Sequence, residues 1–363
     1  MHLKLLVTAG DGIGPEVTLE AERIFQEVMQ LSGHTYSIDQ RLIGGVAIKE
    51  FGNPLPAETL AAALASDAVL LGAVGGNEFN SLAPDKRPEA GLLQIRSALG
   101  GFANLRPAFA FKELAVNSPL RPEVIDGADI LFVRELLGGL YFGQPREWNK
   151  AANEAWNTMR YTKGEVARVA RIAFQLAQKR RKKVCSVDKA NVLEVSQLWR
   201  ATVTEVAAEF PDVTLEHQYV DAMAMHLMNR PRDFDVVVTE NLFGDILSDE
   251  SGVITGSLGM LPSATIGGKV NLYEPVHGSA PDIAGKGLAN PIGAILTAAL
   301  ILRHSAGLEA EAAAIETSVR KVLEQGFRTP DLARGSMAGL TVLSTTQMGA
   351  KVRETVKTML VNA

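Results

Sequence analysis

The chain has 363 residues, 47% hydrophobic and 21% charged, with a formal net charge of −5. That length exceeds one ordinary hydrophobic core, so two domains are expected, and a net acidic chain lacks the basic surface that nucleic acid demands. The longest apolar run, residues 292–302, falls short of the roughly 20 residues of a membrane span. A single cysteine, Cys185, suits a reducing compartment, and residues 1–9 are too short an apolar run for a signal peptide, so a cytoplasmic protein is expected.

Residues 3–8 read as a strand and run into GDGIGPE at 10–16. The dinucleotide fingerprint G-x-G-x-x-G would need glycine at position 15, where the chain has Pro15. Proline suits the first turn of a helix, where its missing N–H costs nothing. Val17, Ala21, Ile24, Phe25 and Val28 then give an apolar stripe of helical period. The loop reads as a tight strand-to-helix turn, with ligand contact left open. Beyond Asn53-Pro54-Leu55-Pro56 come a short helix, Ala57–Ala65, and a buried strand at 68–71. That strand enters GAVGG at 72–76, where missing side chains let something approach the backbone. The polar stretch up to Glu89 is long for a plain connection.

Residues 89–99 read as a helix carrying Leu92, Leu93 and Arg96. Arg106 follows in NLRP, and Arg134 in VREL after a strand at 130–133. Each arginine alone suits a solvated surface; three near element ends suit a clamp for carboxylate or phosphate, whose oxygens guanidinium binds bidentately. Glycines at 138, 139 and 143 break the pattern. Through Trp148, Trp156, Met159 and Tyr161 the chain reads as an extended arm packing on a partner subunit. A helix at 163–179 ends in KRRKK (179–183), the basic end that a helix dipole favours. After a strand at 184–187, Lys189 stands beside Asp188 and Asn191 as a catalytic candidate. A strand at 213–220 leads to Asp221, and Met223, Met225, His226 and Met228 read as core or interface.

Residues 239–251, TENLFGDILSDES, follow a β-branched strand at 234–238. As a helix they put Asp245 and Asp249 on one face, about 5–6 Å apart at Cβ, where like charges repel. A divalent cation such as Mg²⁺ reverses that sign, and Asp221 is a third carboxylate for it; a solvated acidic face is the alternative. The position just past a strand's carboxyl end is where α/β proteins place ligands. Residues 274–291, EPVHGSAPDIAGKGLANP, are too dense in glycine and proline for a regular element and read as a binding loop. The remainder reads as helices at 292–304, 309–325 and 345–360.

GDGIGPE, GLLQIR, NLRP, VRELLGGLYFG, VDKANVLE, VDAMAM, TENLFGDILSDE and EPVHGSAPDIAGKGLANP span residues 10–291. Together they resemble the isocitrate/isopropylmalate family of β-decarboxylating dehydrogenases. One departure is NEFNSL at 77–82, where relatives more often carry Lys-Trp; it lies at the cofactor edge, and little change is expected. The resemblance implies an α/β, two-domain, isopropylmalate dehydrogenase-like fold that is not of Rossmann type. Residues 1–101 and 253–363 would form the cofactor-binding domain, and 102–252 an inserted domain for substrate and dimer contacts. It implies NAD-dependent oxidation of a 2-hydroxy acid, then loss of the carboxylate β to the new ketone. The substrate expected is 3-isopropylmalate, in leucine biosynthesis.

The resemblance also implies a homodimer with shared sites. Asp245 and Asp249 would hold Mg²⁺ or Mn²⁺ with Asp221 of the partner subunit, which also borders the substrate, and Lys189 of the partner subunit would take the hydroxyl proton. Tyr141 would protonate the enol carbon, while Arg96, Arg106 and Arg134 clamp the carboxylates. Leu92 and Leu93 would flank an isopropyl group, which gains from burial where a carboxymethyl group would be desolvated unpaired. The NAD site would use Gly76, Glu89, Glu274, His277, Gly278 and Ser279. It would continue through Ala280, Pro281, Asp282, Ile283, Ala289 and Asn290. Asp282 on the ribose hydroxyls would repel the 2′-phosphate of NADP, with Lys286 as the complication. The rivals are a sister enzyme acting on isocitrate, homoisocitrate or tartrate, an inactive regulatory subunit, and a metal-dependent phosphoryl-transfer enzyme. The inactive subunit is disfavoured by Lys189, Tyr141 and the three aspartates; phosphoryl transfer leaves Tyr141 and the 274–291 loop unused.

Overall fold

The structure, a computed structural model, describes residues 1–334 and 338–361. Up to Pro275 the strands are β1 (His2–Gly10), β2 (Thr35–Gln40), β3 (Ala68–Ala73), β4 (Ala103–Phe109), β5 (Asp129–Glu135), β6 (Glu147–Asn149), β7 (Glu154–Trp156), β8 (Lys183–Asp188), β9 (Thr214–Tyr219), β10 (Val236–Thr239), β11 (Pro262–Ile266) and β12 (Asn271–Pro275). The chain forms two compact units. One comprises Met1–Gly101, Phe111–Pro119 and Thr255–Ala363; the other comprises Phe102–Ala110 and Leu120–Ile254. The stretch Phe111–Pro119, inside the 102–252 insertion read from the sequence, packs with the terminal segments, where Arg328 donates to the Glu113 carbonyl at 2.9 Å.

In the first unit the strand order is β2-β1-β3-β12-β11. Pairs among β1, β2, β3 and β12 are parallel, and β11 runs antiparallel to β12. The helix Gly14–Leu31 starts with Pro15 in its first turn and buries Val17, Ala21, Ile24, Phe25 and Val28 completely, as its period requires. It packs against Ile292–Ile301 and Thr345–Val361. Every residue of Ile292–Ile301 is buried, which explains its unbroken apolar sequence: it is a core helix. Among the described residues no helix is long and apolar enough to cross a membrane.

In the second unit the order is β4-β5-β10-β8-β9, with β4 antiparallel to β5 and the other pairs parallel. The helices Lys163–Gln178 and Glu194–Ala207 pack on each other and on these strands. The expected arm is a two-stranded hairpin, β6 with β7, whose Trp148 is 69% exposed. Tyr161 is not part of it: its ring is buried and meets Trp199 edge-on at 5.6 Å. The basic run 179–183 is structural, since Arg180 holds the carboxylates of Asp129 (2.9 Å) and Asp235 (2.8 Å).

The turn after β1 shows how tightly the first unit is pinned. Gly10 (φ +72°) and Gly12 (φ +58°) bracket the buried Asp11, a backbone path that L side chains resist. The Asp11 carboxylate accepts N–H bonds from Gly45 (2.7 Å), Val46 (2.8 Å) and Gly75 (2.9 Å). An asparagine there turns an NH₂ group toward one of those donors. Asp11→Asn is therefore expected to lower stability by about 2–3 kcal/mol, read from urea unfolding. A loss below about 0.5 kcal/mol would mean this cradle contributes little.

Candidate active site

Strand register sets the position of the acidic helix. β10 aligns Thr239 with Arg134 of β5 on one side and Val187 of β8 on the other. The chain then turns into the helix Asn241–Glu250, capped by the Glu240 side chain, which accepts from Leu242 N (3.0 Å) and Phe243 N (2.9 Å). Asp245 and Asp249 leave one face, as their spacing dictates. Arg134 lies within β5 rather than beyond it, and its side chain is 2% exposed. Its stem passes under Gly244, where a Cβ would stand 2.7 Å from Arg134 Cγ, so glycine makes room for it.

The Arg134 guanidinium donates from Nε (3.0 Å) and Nη2 (2.7 Å) to Asn241 Oδ1, and from Nη1 to Asp245 Oδ1. Arg106, on β4, donates from Nε to Asn104 Oδ1 (2.8 Å). Its Nη1 donates to Ser248 Oγ (2.9 Å) and Asp249 Oδ1 (2.7 Å), and its Nη2 lies 3.3 Å from Asp245. Tyr141 donates its hydroxyl to Asp245 Oδ2 at 2.8 Å. The arginines expected on substrate and the aspartates expected on metal thus meet one another. Two guanidinium groups balance two carboxylates, which removes the repulsion at four-residue spacing and supplies the counter-charge that a buried arginine needs. Burial raises the Asp249 carboxyl above its ordinary range against the pull of Arg106. Burial, then the Asp245 carboxylate, pushes the Tyr141 hydroxyl up to about 12.

Asp221 lies in the first turn of the helix Val220–Asn229, two residues past the end of β9 at Tyr219. It accepts from Lys189 Nζ at 2.7 Å, and that bond holds its exposed carboxyl below the usual range. Lys189 follows the buried Asp188, which Arg200 grips with two bonds (2.9 and 3.0 Å) and the Ala190 N–H joins at 2.9 Å. Within one chain Asp221 does not join Asp245 and Asp249: among the described residues no three His, Cys, Asp or Glu side chains gather as a metal-binding group. The methionines split, Met223 buried and Met225 55% exposed.

In the first unit Arg96 donates to Glu274 Oε1 from Nη2 (2.6 Å) and Nε (3.1 Å), with both side chains largely buried. Leu92 packs partly against the core around Ile95 and Leu99, while Leu93 is 37% exposed. The 274–291 loop interlocks with the turn after β1. Ile13 N–H donates to the Ser279 carbonyl (2.8 Å), and a Cβ on Gly12 would meet that oxygen at 2.0 Å. Gly285 N–H donates to Glu16 Oε1 at 3.1 Å, and Ala280 takes a left-handed φ of +38°. Gly278, Ala280, Pro281 and Asp282 are exposed, Ile283 is half-buried and Ala289 is buried. Gly76 and Glu89 lie at the GAVGG end, where a Cβ on Gly75 would stand 3.0 Å from Glu89 Oε1.

His277 is buried and its Nδ1 is 3.0 Å from the Gly278 carbonyl, while Nε2 meets no protein partner. A buried imidazole nitrogen without a partner is unusual. Burial holds the His277 ring below the ordinary histidine range. Asn290 donates to Asp331 (3.1 Å) and accepts from Ile292 N–H (3.0 Å). Sequence reasoning missed Asn104, Asn241, Gly244 and Asp331. Only Gly244 left a signal, as a helix-breaking residue inside a helical stripe.

The isocitrate/isopropylmalate dehydrogenase family matches residues 4–352. A 3-isopropylmalate dehydrogenase of Shouchella clausii (strain KSM-K16) is 57% identical over 339 residues, 93% of each chain. One of Oleidesulfovibrio alaskensis is 54% identical over 359 residues, 98% of this chain and 99% of that one. Among solved structures, isocitrate dehydrogenase from Methylococcus capsulatus aligns with a TM-score of 0.85 and 35% identity, covering 98% of this chain and 100% of that one. The apo form of a β-decarboxylating dehydrogenase from Thermococcus kodakarensis gives 0.80 and 34%, covering 99% and 97%. By sequence along its length and by fold, the chain belongs to the isocitrate/isopropylmalate dehydrogenase family.

Proposed function

We propose that this chain catalyses the NAD-dependent oxidative decarboxylation of 3-isopropylmalate to 4-methyl-2-oxopentanoate, a step of leucine biosynthesis. The observation that carries the reading is the balanced set of Arg106, Arg134, Asp245 and Asp249 with Tyr141 bonded to it. Relatives bearing that activity in their names reach 57% identity, which supports the choice of substrate.

Asp245 and Asp249 offer hard oxygen donors one helical turn apart, with side chains 31% and 52% exposed, and so suit Mg²⁺ or Mn²⁺. A divalent cation supplies Lewis acidity, lowering the pKa of the substrate hydroxyl and stabilising negative charge on oxygen. Charge balance favours such a pair of guests, since a dicarboxylate and a divalent cation together add no net charge to a set already neutral. Arg106 and Arg134 exchange aspartate oxygens for substrate carboxylate oxygens, and Arg96 does the same with Glu274. Lys189 takes the hydroxyl proton. Tyr141, held protonated at neutral pH, delivers a proton to the enol carbon after CO₂ departs. NAD would supply the hydride acceptor, and the 274–291 loop would hold it, with the unpartnered His277 Nε2 and the exposed Asp282 offered to its ribose hydroxyls. The first unit then binds the cofactor, and the second carries Arg106, Arg134 and the dimer contacts. In this reading the enzyme works in the cytoplasm.

A homodimer completes each site with Lys189 and Asp221 of the partner subunit. The apolar surface on adjoining helices supports this: Met225 on Val220–Asn229 is 55% exposed and Ile246 on Asn241–Glu250 is 57% exposed, more than an isolated surface favours. The likeness to an isocitrate dehydrogenase structure keeps one rival; Leu92 and Leu93 would favour 3-isopropylmalate over it, because two leucines would desolvate a carboxymethyl group without pairing it.

NADH formation measured over a panel of 2-hydroxydicarboxylates with Mg²⁺ tests the substrate. A kcat/KM for 3-isopropylmalate at least about a hundredfold above isocitrate is expected, with activity lost to a strong chelator. NAD is expected to outperform NADP, and Asp282→Lys to narrow the gap; equal use of isocitrate, or NADP preference in the wild type, overturns the corresponding assignment. The shared site has its own test. Lys189→Ala and Asp245→Asn homodimers are each expected to be inactive, and heterodimers formed from them to recover about half the activity, since one of two sites regains every wild-type group. Verified heterodimers without activity would mean each chain builds its own site.

A further inference from the structure

The tyrosine that left the expected arm for the core has a position that the chemistry above does not use. Tyr161 is 5% exposed, and its hydroxyl accepts the Asn241 N–H at 3.0 Å, at the start of the helix carrying Asp245 and Asp249. The same hydroxyl lies near the buried Glu135 carboxylate, and burial, then that charge, pushes it well above the usual tyrosine range. Glu135 in turn accepts the N–H groups of Leu137 (3.1 Å) and Gly138 (2.8 Å), the approach to the short turn Gly139–Tyr141. The side chain packs against that approach: a Cβ on Gly138 would come within 2.4 Å of Tyr161 Cε1, and one on Gly139 within 2.7 Å of its hydroxyl. Arg168 stands 3.6 Å from Glu135 and provides charge. The hydroxyl is committed as an acceptor to the Asn241 N–H and, as a phenol, keeps its one proton.

We propose that Tyr161 is a positioning residue for the reaction: its hydroxyl ties the turn bearing Tyr141 to the start of the helix bearing Asp245. The 2.8 Å bond between Tyr141 and Asp245 then depends on one buried group that meets neither. The inference rests on the reading that Tyr141 and Asp245 serve the chemistry. A displacement of about 1 Å in a catalytic group costs up to a hundredfold in rate, so a residue that only orients can matter as much as one that reacts.

The test is Tyr161→Phe, which keeps the ring against Trp199 and the two glycines and removes only the hydroxyl. Amide hydrogen exchange of the intact protein reads the ordering without reference to any substrate. Protection is expected to fall at least tenfold in peptides covering 138–143 and 241–245, and to stay unchanged within 166–178. Unchanged protection in the first two segments overturns the proposal. In turnover of 3-isopropylmalate, kcat is expected to fall at least tenfold with the KM for NAD within twofold of wild type. In a Tyr141→Phe background the same substitution is expected to lose most of its effect on kcat, because the two act as a unit; independent, multiplying losses overturn the proposal. Trp199→Phe supplies the structural comparison. It disturbs the same ring contact and the bond to Ser186 Oγ (3.2 Å), and is expected to lower the melting temperature with kcat within twofold. If Trp199→Phe reduces kcat as much as Tyr161→Phe does, Tyr161 merely stabilises the fold and the proposal fails. A wild type inactive on 3-isopropylmalate, with hydrogen exchange responding as expected, overturns the assigned reaction and the catalytic half of this inference while leaving the ordering by Tyr161 in place.

Discussion

A fully buried guanidinium is the constraint around which the second unit is arranged. Arg134 is removed from water on a strand of hydrophobic residues, and such a charge persists only with a counter-ion and with its N–H groups bonded. Asp245 supplies the charge and Asn241 accepts two of the bonds. Asn241 is occupied in turn, because its own NH₂ donates to the carbonyls of Leu136 and Gly138 at 3.0 Å each. The first turn of the acidic helix, the end of β5 and the turn leading to Tyr141 are therefore fixed by one network. Removing any member leaves a buried donor or acceptor unpaired, which costs more than the bond itself contributed. Gly244 belongs to the same solution, because any side chain there would displace the arginine stem.

The parts of this arrangement that follow local periodicity were legible in the sequence. Short β-branched runs became strands, the stripe after Pro15 became the buried face of its helix, and the four-residue spacing put Asp245 and Asp249 together. Partnership across the chain was not legible. Period-two alternation tells which face a residue takes, but not that Arg134 and Thr239 share a register, and so not that an arginine would reach the acidic helix. Tyr161 was misread for a related reason. Surrounded by Trp156, Met159 and charged neighbours it has the composition of an exposed arm, and only tertiary packing on Trp199 turns it inward. Asp331 lies far in sequence from Ser257 and Asn290, which it joins at 2.6 and 3.1 Å, and nothing local announces that meeting.

The carboxylates of this protein divide by what they accept from. Asp11 and Glu240 take their hydrogen bonds from backbone N–H groups, which cannot leave without the chain unfolding locally. Asp245, Asp249, Asp221 and Glu274 take theirs from arginine, lysine and tyrosine side chains, whose rotamers can reorient at modest cost. The first kind holds loops and caps; the second can trade one partner for another. Under the proposed reaction, a dicarboxylate and a cation would need the second kind, because the guests would replace bonds already present and no charge would be left bare. The same logic explains why neither carboxylate of the acidic helix stands alone without ligand. An unpaired aspartate beside two arginines would leave a strong local field to be solvated, whereas the paired set is neutral and ready for exchange. Side-chain partnership alone does not make a ligand site, since Asp235 and Asp188 are also held by arginines and serve the fold; what sets Asp245 and Asp249 apart is that they stand partly exposed, one helical turn apart, beside two arginines.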